Sequence, residues 1–407
     1  MKILAISQVY WPDTASVAQH LTDLLEALSK NNHSVHVFSS QRKYEQPKKR
    51  FPKTENHNGV LIKRINNTGL GKKKKIFRVI DFLSFNVLLT LKLLFISKNK
   101  YDIIIGMTSP PLLSFLGLKI AKLKGIRFTY WTMDLQPELS IVAGYLSSHS
   151  INSKLLQSYG DYIFKNSEKI ITLDKYMKEH INKRVLINQK KIDIIPVWPV
   201  MNEVYDDNRL QNPFRIENNF GNRFVIMYSG NHSVMHPLTT LLETSRMLKN
   251  DDRFLFVHIG GGVRLDEVKT YKKEYNLDNL LILPYQPRNK IHLSLGSSDL
   301  QVVAMGNDSV GFTHPNKIYG AMFIGKPILY LGPDESHVND IISHCSGNIS
   351  VKHGENNHLY NQLTDFIKLS QKEKEEIGRR NRQYALSNFK PDILINRMIS
   401  SIEAVKK

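Results

Sequence analysis

The chain has 407 residues, more than one core of ordinary size holds, so two domains are expected. Apolar residues make up 41% and charged residues 23%, which excludes disorder; the single cysteine, Cys345, excludes a disulfide framework and fits a reducing compartment. The net charge is +19, and residues 42–100 hold 16 Lys/Arg against 3 Asp/Glu, so one block carries most of the excess and calls for an anionic surface or substrate.

In chain order, MKILAISQVY carries one lysine and an apolar run that breaks at Trp11-Pro12, so it reads as a first strand over 2–7 and not as a signal peptide. WPDTASVAQHLTDLLEALSKNNH reads as a loop entering an amphipathic helix. Strands follow at 35–40, 101–111, 128–134, 169–174 and 191–199, with the helix LLSFLGLKIAKLKG after the second of these. Residues 201–222 lose the periodicity and turn polar, as a linker does. The pattern restarts with RFVIMYSGN, FLFVHIGGG, LLILPYQP, LQVVAMG and PILYLGP, separated by helix-like stretches. Strands spaced by helices of this length imply α/β domains with parallel, doubly wound sheets. The expected division is 1–205, 206–385 and a terminal helix within 386–407 that packs back toward the first domain.

The stretch 71–100 joins Lys72, Lys73, Lys74 and Lys75 directly to a run dominated by Phe, Leu, Ile and Val. Arg78, Asp81 and Lys92 interrupt this run and fall within about 60° of one another at about 100° per residue. A helix spanning a bilayer tolerates them poorly. One lying in the interface accepts them, with a basic flank on anionic headgroups and residues such as Phe82 and Phe85 in the acyl boundary. A buried crossover helix with a solvated lysine patch is the alternative. No aromatic-interleaved basic stripe or reading module points to nucleic acid, so the expected partner is an anionic membrane surface.

Phosphates bind where a strand ends and a helix begins, because unpaired N–H groups and the helix dipole converge there. Three junctions in the second half have that form. MYSGNHSVMHPL supplies Gly230, Asn231, His232 and His236; VHIGGGVRLDE supplies Gly260, Gly261 and Gly262; HPNKIYG supplies His314, Asn316, Lys317 and Tyr319. Tight turns also use glycine runs, and HPNK also suits an ordinary helix cap. In the first half, TMDLQPE places Asp134 and Glu138 just past a strand, where they orient a hydroxyl, act as a base or, for Asp134, cap a helix. There is no P-loop, no G-x-G-x-x-G after the first strand, no G-x-S-x-G and no H-E-x-x-H, and no metal site is expected.

Together, YWPDTASVAQHLTDLLEAL, TSPPLL, TMDLQPE, FVIMYSGNHS, LPYQP and HPNKIYGAMFIGKP resemble the retaining family-four glycosyltransferases of GT-B fold, in order and over nearly the whole chain. The nearest likeness is to bacterial enzymes of surface-polysaccharide assembly of the colanic acid and O-antigen type. The resemblance implies two Rossmann-like domains facing a cleft, with a nucleotide-sugar (UDP-sugar before GDP-sugar) on the second and the acceptor on the first. It also implies transfer of a hexosyl or N-acetylhexosaminyl group with retention, without metal or other cofactor.

Matched position by position, Thr14, Ala15 and Ser16 approach the diphosphate, as do Gly230, Asn231 and His236. Tyr285 and Gln286 lie beside the base, and Pro315 to Tyr319 receive the diphosphate with Lys317 as a point charge. Phe312 and Gly320 stand where many relatives carry two glutamates. Asn231 and His236 stand where an arginine and a lysine are common, and Met133 where a histidine or arginine often precedes the aspartate. Positive charge is then expected from Lys317, a protonated His236 or helix starts, and sugar contacts from His314 and Asn316. The basic segment adds a lipid-linked acceptor, reached at the cytoplasmic face of the membrane. A sugar-nucleotide epimerase of the same fold and a non-catalytic, membrane-associated partner of an active transferase are the alternatives.

Overall fold

The computed structural model describes residues 1–44, 46–71, 75–108, 110, 112–201 and 209–405. They form two compact units, Met1–Pro196 with Asp392–Lys407, and Val197–Pro391. The division falls at Pro196, ahead of the polar stretch read as a linker, because Met201 already belongs to a core cluster of the second unit. The terminal helix belongs to the first unit from Asp392 onward: Ser401 donates to the Asp193 carboxylate at 2.7 Å, and Arg397 to the Ile194 carbonyl at 2.8 Å.

The first unit has strands β1 (Lys2–Ile6), β2 (Ser34–Ser40), β3 (Thr54–His57), β4 (Val60–Ile65), β5 (Ile103–Met107), β6 (Arg127–Trp131), β7 (Lys169–Thr172) and β8 (Ile192–Ile194). Their order is β3-β4-β2-β1-β5-β6-β7-β8, parallel except for β3 against β4. All of β5 and all but the first residue of β1 are buried, as parallel strands covered on both faces require. The β3–β4 hairpin does not emerge from the apolar runs. Its turn is Asn58-Gly59, with φ of 48° and 84°, the positive values that a two-residue hairpin needs.

The second unit has strands β9 (Phe224–Asn231), β10 (Phe254–Gly261), β11 (Leu280–Leu283), β12 (Leu300–Ala304), β13 (Ile328–Leu331) and β14 (Ile349–Val351). All are parallel, in the order β11-β10-β9-β12-β13-β14. Alternation along β9 splits its side chains between two cores: Phe224, Ile226 and Tyr228 enter one, Val225 and Met227 the other. The strand order reverses between β9 and β12. In a doubly wound sheet the ligand crevice lies at the carboxyl ends of the strands at that switch.

Candidate functional site

The carboxyl ends of β9 and β10 run side by side, with Gly260 opposite Gly230 and Gly261 opposite Asn231. Gly230 and Gly260 have φ of 137° and 129°, and a Cβ on Gly260 would stand 2.1 Å from the Gly230 carbonyl oxygen. Only glycine lets the two strand ends approach this closely. Lys317 opens the helix Lys317–Phe323 and reaches the same corner, where its Nζ lies 3.4 Å from the position of a Gly230 Cβ. That Nζ sits 3.7 Å from the centroid of the Tyr228 ring, is buried, and has no hydrogen-bond partner among the described residues. Burial pushes its pKa from 10.5 down to about 7. The ring face replaces part of the lost hydration, but three strong donors stay unused.

Two histidines, His232 and His236, lie within reach of this amine's charge, and His258 adjoins His232. The His232 ring nitrogens lie 3.4 Å from the Gly261 carbonyl and 3.3 Å from His258 Nδ1. Burial and then the Lys317 charge push His232 down to about 4; burial and then His232 push His258 down to about 3. His236 is held well below its ordinary value by the same two causes as His232, burial first. All three are therefore neutral at pH 7. This corrects the expectation of a protonated His236: its ring is stripped of water and faces a neighbouring ammonium, so the cation of this corner is Lys317. His236 Nδ1 is itself buried without a hydrogen-bond partner among the described residues.

The corner thus gathers Gly230, Asn231, His232, His236, Gly260, Gly261, Tyr285 and Lys317. Tyr285 is 56% exposed, and its ring lies 3.0 Å from where a Gly261 Cβ would be. Gln286 beside it donates to the Pro284 carbonyl at 2.9 Å. Asn316 precedes Lys317 at the cap position without a side-chain cap bond. His314 and Tyr319 are buried, bonded to each other at 2.6 Å, with His314 stacked on His337 at 3.8 Å. Tyr228 and His258 were not singled out from sequence. Tyr228 completes the alternation Phe224, Ile226, Tyr228, and its hydroxyl donates to the Asn231 carbonyl at 2.7 Å.

In the first unit, the helix Ser16–Lys30 starts at Ala15 with no side-chain cap bond, while Gln19 donates to the Thr14 carbonyl at 2.8 Å. Asp134 follows β6, and its carboxylate has no hydrogen bond or ion pair among the described residues. Burial pushes it up to about 7. It does not cap the next helix, Glu138–Val142, whose cap position is Pro137. Glu138 is fully engaged: Arg184 donates to both its oxygens at 2.8 and 3.0 Å, and His180 lies at 2.8 Å. Burial pushes this carboxyl up, but His180 and Arg184 together outweigh it and leave it below the ordinary value.

The helix Lys75–Leu94 turns Phe85, Leu89 and Leu93 into the first unit's interior. Phe85 was expected in a lipid boundary and is instead fully buried, because it lies on the side of the helix that covers the sheet; Phe82 is half-buried. Asp81 accepts from the backbone of Leu70 at 3.0 Å and of Gly71 at 2.9 Å, and from Thr68 Oγ1 at 2.7 Å. Lys92 lies 4.4 Å from the centroid of the Phe38 ring. These two charges therefore do not form an outward basic flank. Lys72, Lys73 and Lys74 lie outside the described residues, as do the side chains of Lys75 and Arg78.

Two parallel α/β units of this kind make up the GT-B architecture of glycosyltransferases, and solved structures share it. Sucrose-phosphate synthase from Thermosynechococcus elongatus matches with a TM-score of 0.76 at 14% identity, covering 100% of this chain and 99% of that one. HepE of Anabaena, solved in complex with UDP and glucose, matches with a TM-score of 0.73 at 13% identity over 100% of both chains. At such identities the likeness is one of fold. Residues 17–197 match the model of Glycosyltransferase Family 4. Probable glycosyltransferase WbjE of Pseudomonas aeruginosa is 24% identical over 241 residues, so the match spans 59% of this chain and 60% of that relative's length.

Proposed function

We propose that the protein is a glycosyltransferase of polysaccharide assembly that moves a hexosyl or N-acetylhexosaminyl group, with retention, from a UDP-sugar to a lipid-linked glycan at the cytoplasmic face of the membrane. The observation that carries the donor half is the buried Lys317 ammonium, without a hydrogen-bond partner among the described residues, beside glycine-lined strand ends. A diphosphate supplies the counter-charge that this amine lacks, and the glycines let its oxygens approach main chain. HepE, of the same fold, was solved holding UDP and glucose.

In this reading the bond between the sugar C1 and the β-phosphate oxygen breaks while the acceptor oxygen bonds to C1 on the same face. The acceptor's proton passes to the departing phosphate oxygen. Lys317 stabilises the charge that develops there, while the neutral His232 and His236 contribute no charge of their own. The unengaged Asp134 carboxyl orients the acceptor hydroxyl or relays its proton, whereas Glu138 holds the loop through Arg184. Neither metal nor other cofactor is invoked, as the family resemblance implies.

The test is a calorimetric panel of UDP, GDP and ADP followed by turnover of UDP-sugars on polyprenyl-linked acceptors. Binding of UDP with sugar transfer supports the reading. Isomerised sugar nucleotide without acceptor indicates an epimerase, UDP binding without turnover a non-catalytic partner, and absence of any nucleotide binding overturns the donor site.

A further inference from the structure

We infer that the outward face of the helix Lys75–Leu94 docks the first unit flat onto an anionic lipid surface, its side chains entering the boundary between headgroups and acyl chains. This rests on the membrane location proposed above and not on the identity of the donor. Opposite the inward Phe85, Leu89 and Leu93, the helix presents Ile76, Leu83, Val87, Leu91 and Leu94, each between 41% and 57% exposed. At about 100° per residue, Ile76, Leu83, Val87 and Leu94 fall within an arc of about 40°, so they form one strip. Over 20 residues that strip is about 30 Å long. It ends on Phe95, 88% exposed.

No described charge interrupts the strip, because Asp81 is spent on the 68–71 backbone and Lys92 lies over Phe38. A soluble surface rarely leaves so long an apolar strip open to water. Its surroundings identify the occupant. The sequence segment 42–100, which contains the helix, holds 16 Lys/Arg against 3 Asp/Glu, a balance that matches an anionic surface. Exposed Lys98 and Lys100 follow the helix, and Lys124 donates to the Leu94 carbonyl at 2.7 Å, which brings a second basic segment to the same end. Anionic headgroups meet the basic surroundings while the acyl boundary takes the strip. Among the described residues no helix is long and apolar enough to cross a membrane, so the fit is to a helix lying in the interface plane.

The experiment is sedimentation of the full chain with vesicles of phosphatidylcholine alone and of phosphatidylcholine with phosphatidylglycerol. It is run in low salt and in molar salt, where the screening length falls to about 3 Å. The wild type is expected to bind the anionic vesicles and to keep part of that binding in molar salt. The triple variant Leu83→Gln/Val87→Gln/Leu91→Gln is expected to bind at least about tenfold more weakly. A separate Val87→Trp variant is expected to show blue-shifted emission on anionic vesicles, which covers the case in which the triple variant fails to fold. Equal binding by the triple variant, an unshifted tryptophan, or a wild-type dimer that the triple variant dissociates would overturn the proposal, the last by naming a second copy as the occupant. UDP titrations on the same samples keep the two readings apart: the triple variant should bind UDP like the wild type, and loss of UDP binding in both would sink the donor site while leaving the vesicle result standing.

Discussion

Glu138 in the first unit and Lys317 in the second are both charged residues that open a short helix, yet their surroundings are opposite. Glu138 is saturated: Arg184 grips both oxygens, His180 adds a third contact, and Arg184 also holds Asp161 at 2.8 Å. Lys317 has an aromatic face and neutral histidines but no acceptor among the described residues. A matched half-buried charge stabilises the fold on its own. An unmatched one is unfavourable until something anionic arrives, so it marks where a ligand completes the structure.

Removing one side of the matched cluster has the largest expected effect. Arg184→Met leaves Glu138 and Asp161 without their cation and should lower stability by about 3 kcal/mol in urea unfolding, with UDP affinity of the folded fraction unchanged. Lys317→Met should do the reverse. It removes an unpaired ammonium, so the melting temperature rises, while UDP affinity falls by about 1–3 kcal/mol in calorimetry. A variant that melts lower and binds UDP normally would erase the contrast.

The pH dependence sharpens it. Below pH 7 the Lys317 amine is already charged; above pH 7 the free protein loses that proton and a bound diphosphate must restore it. UDP affinity should therefore fall by up to about tenfold per pH unit above pH 7, with net proton uptake measurable in buffers of different ionisation enthalpy, and Lys317→Met should lose that slope. The smallest effect belongs to Tyr228→Phe, which keeps the ring under Lys317 but loses the bond to the Asn231 carbonyl. Stability should drop by about 1 kcal/mol, with little change in UDP binding.

Most strands were legible because parallel strands buried on both faces appear as unbroken apolar runs, such as IIIGM in β5 and FVIM in β9. The β3–β4 hairpin escaped because its strands are short and β3, TENH, is polar, although Asn58-Gly59 is a strong turn signal. Periodicity grouped Asp81 and Lys92 on one side of the helix Lys75–Leu94 but not which side faces inward. That is decided by partners distant in sequence, the 68–71 backbone and Phe38. Lys317 was legible as a charge at a helix start. Its burial over Tyr228 and the neutrality of His236 depend on strand ends that meet only in the folded sheet.

The most direct test of the central claim is a crystal structure of the protein with UDP. A β-phosphate oxygen should lie within about 3 Å of Lys317 Nζ, with the amine drawn off the Tyr228 ring toward it. UDP bound elsewhere, with Nζ still seated on that ring, would contradict the account.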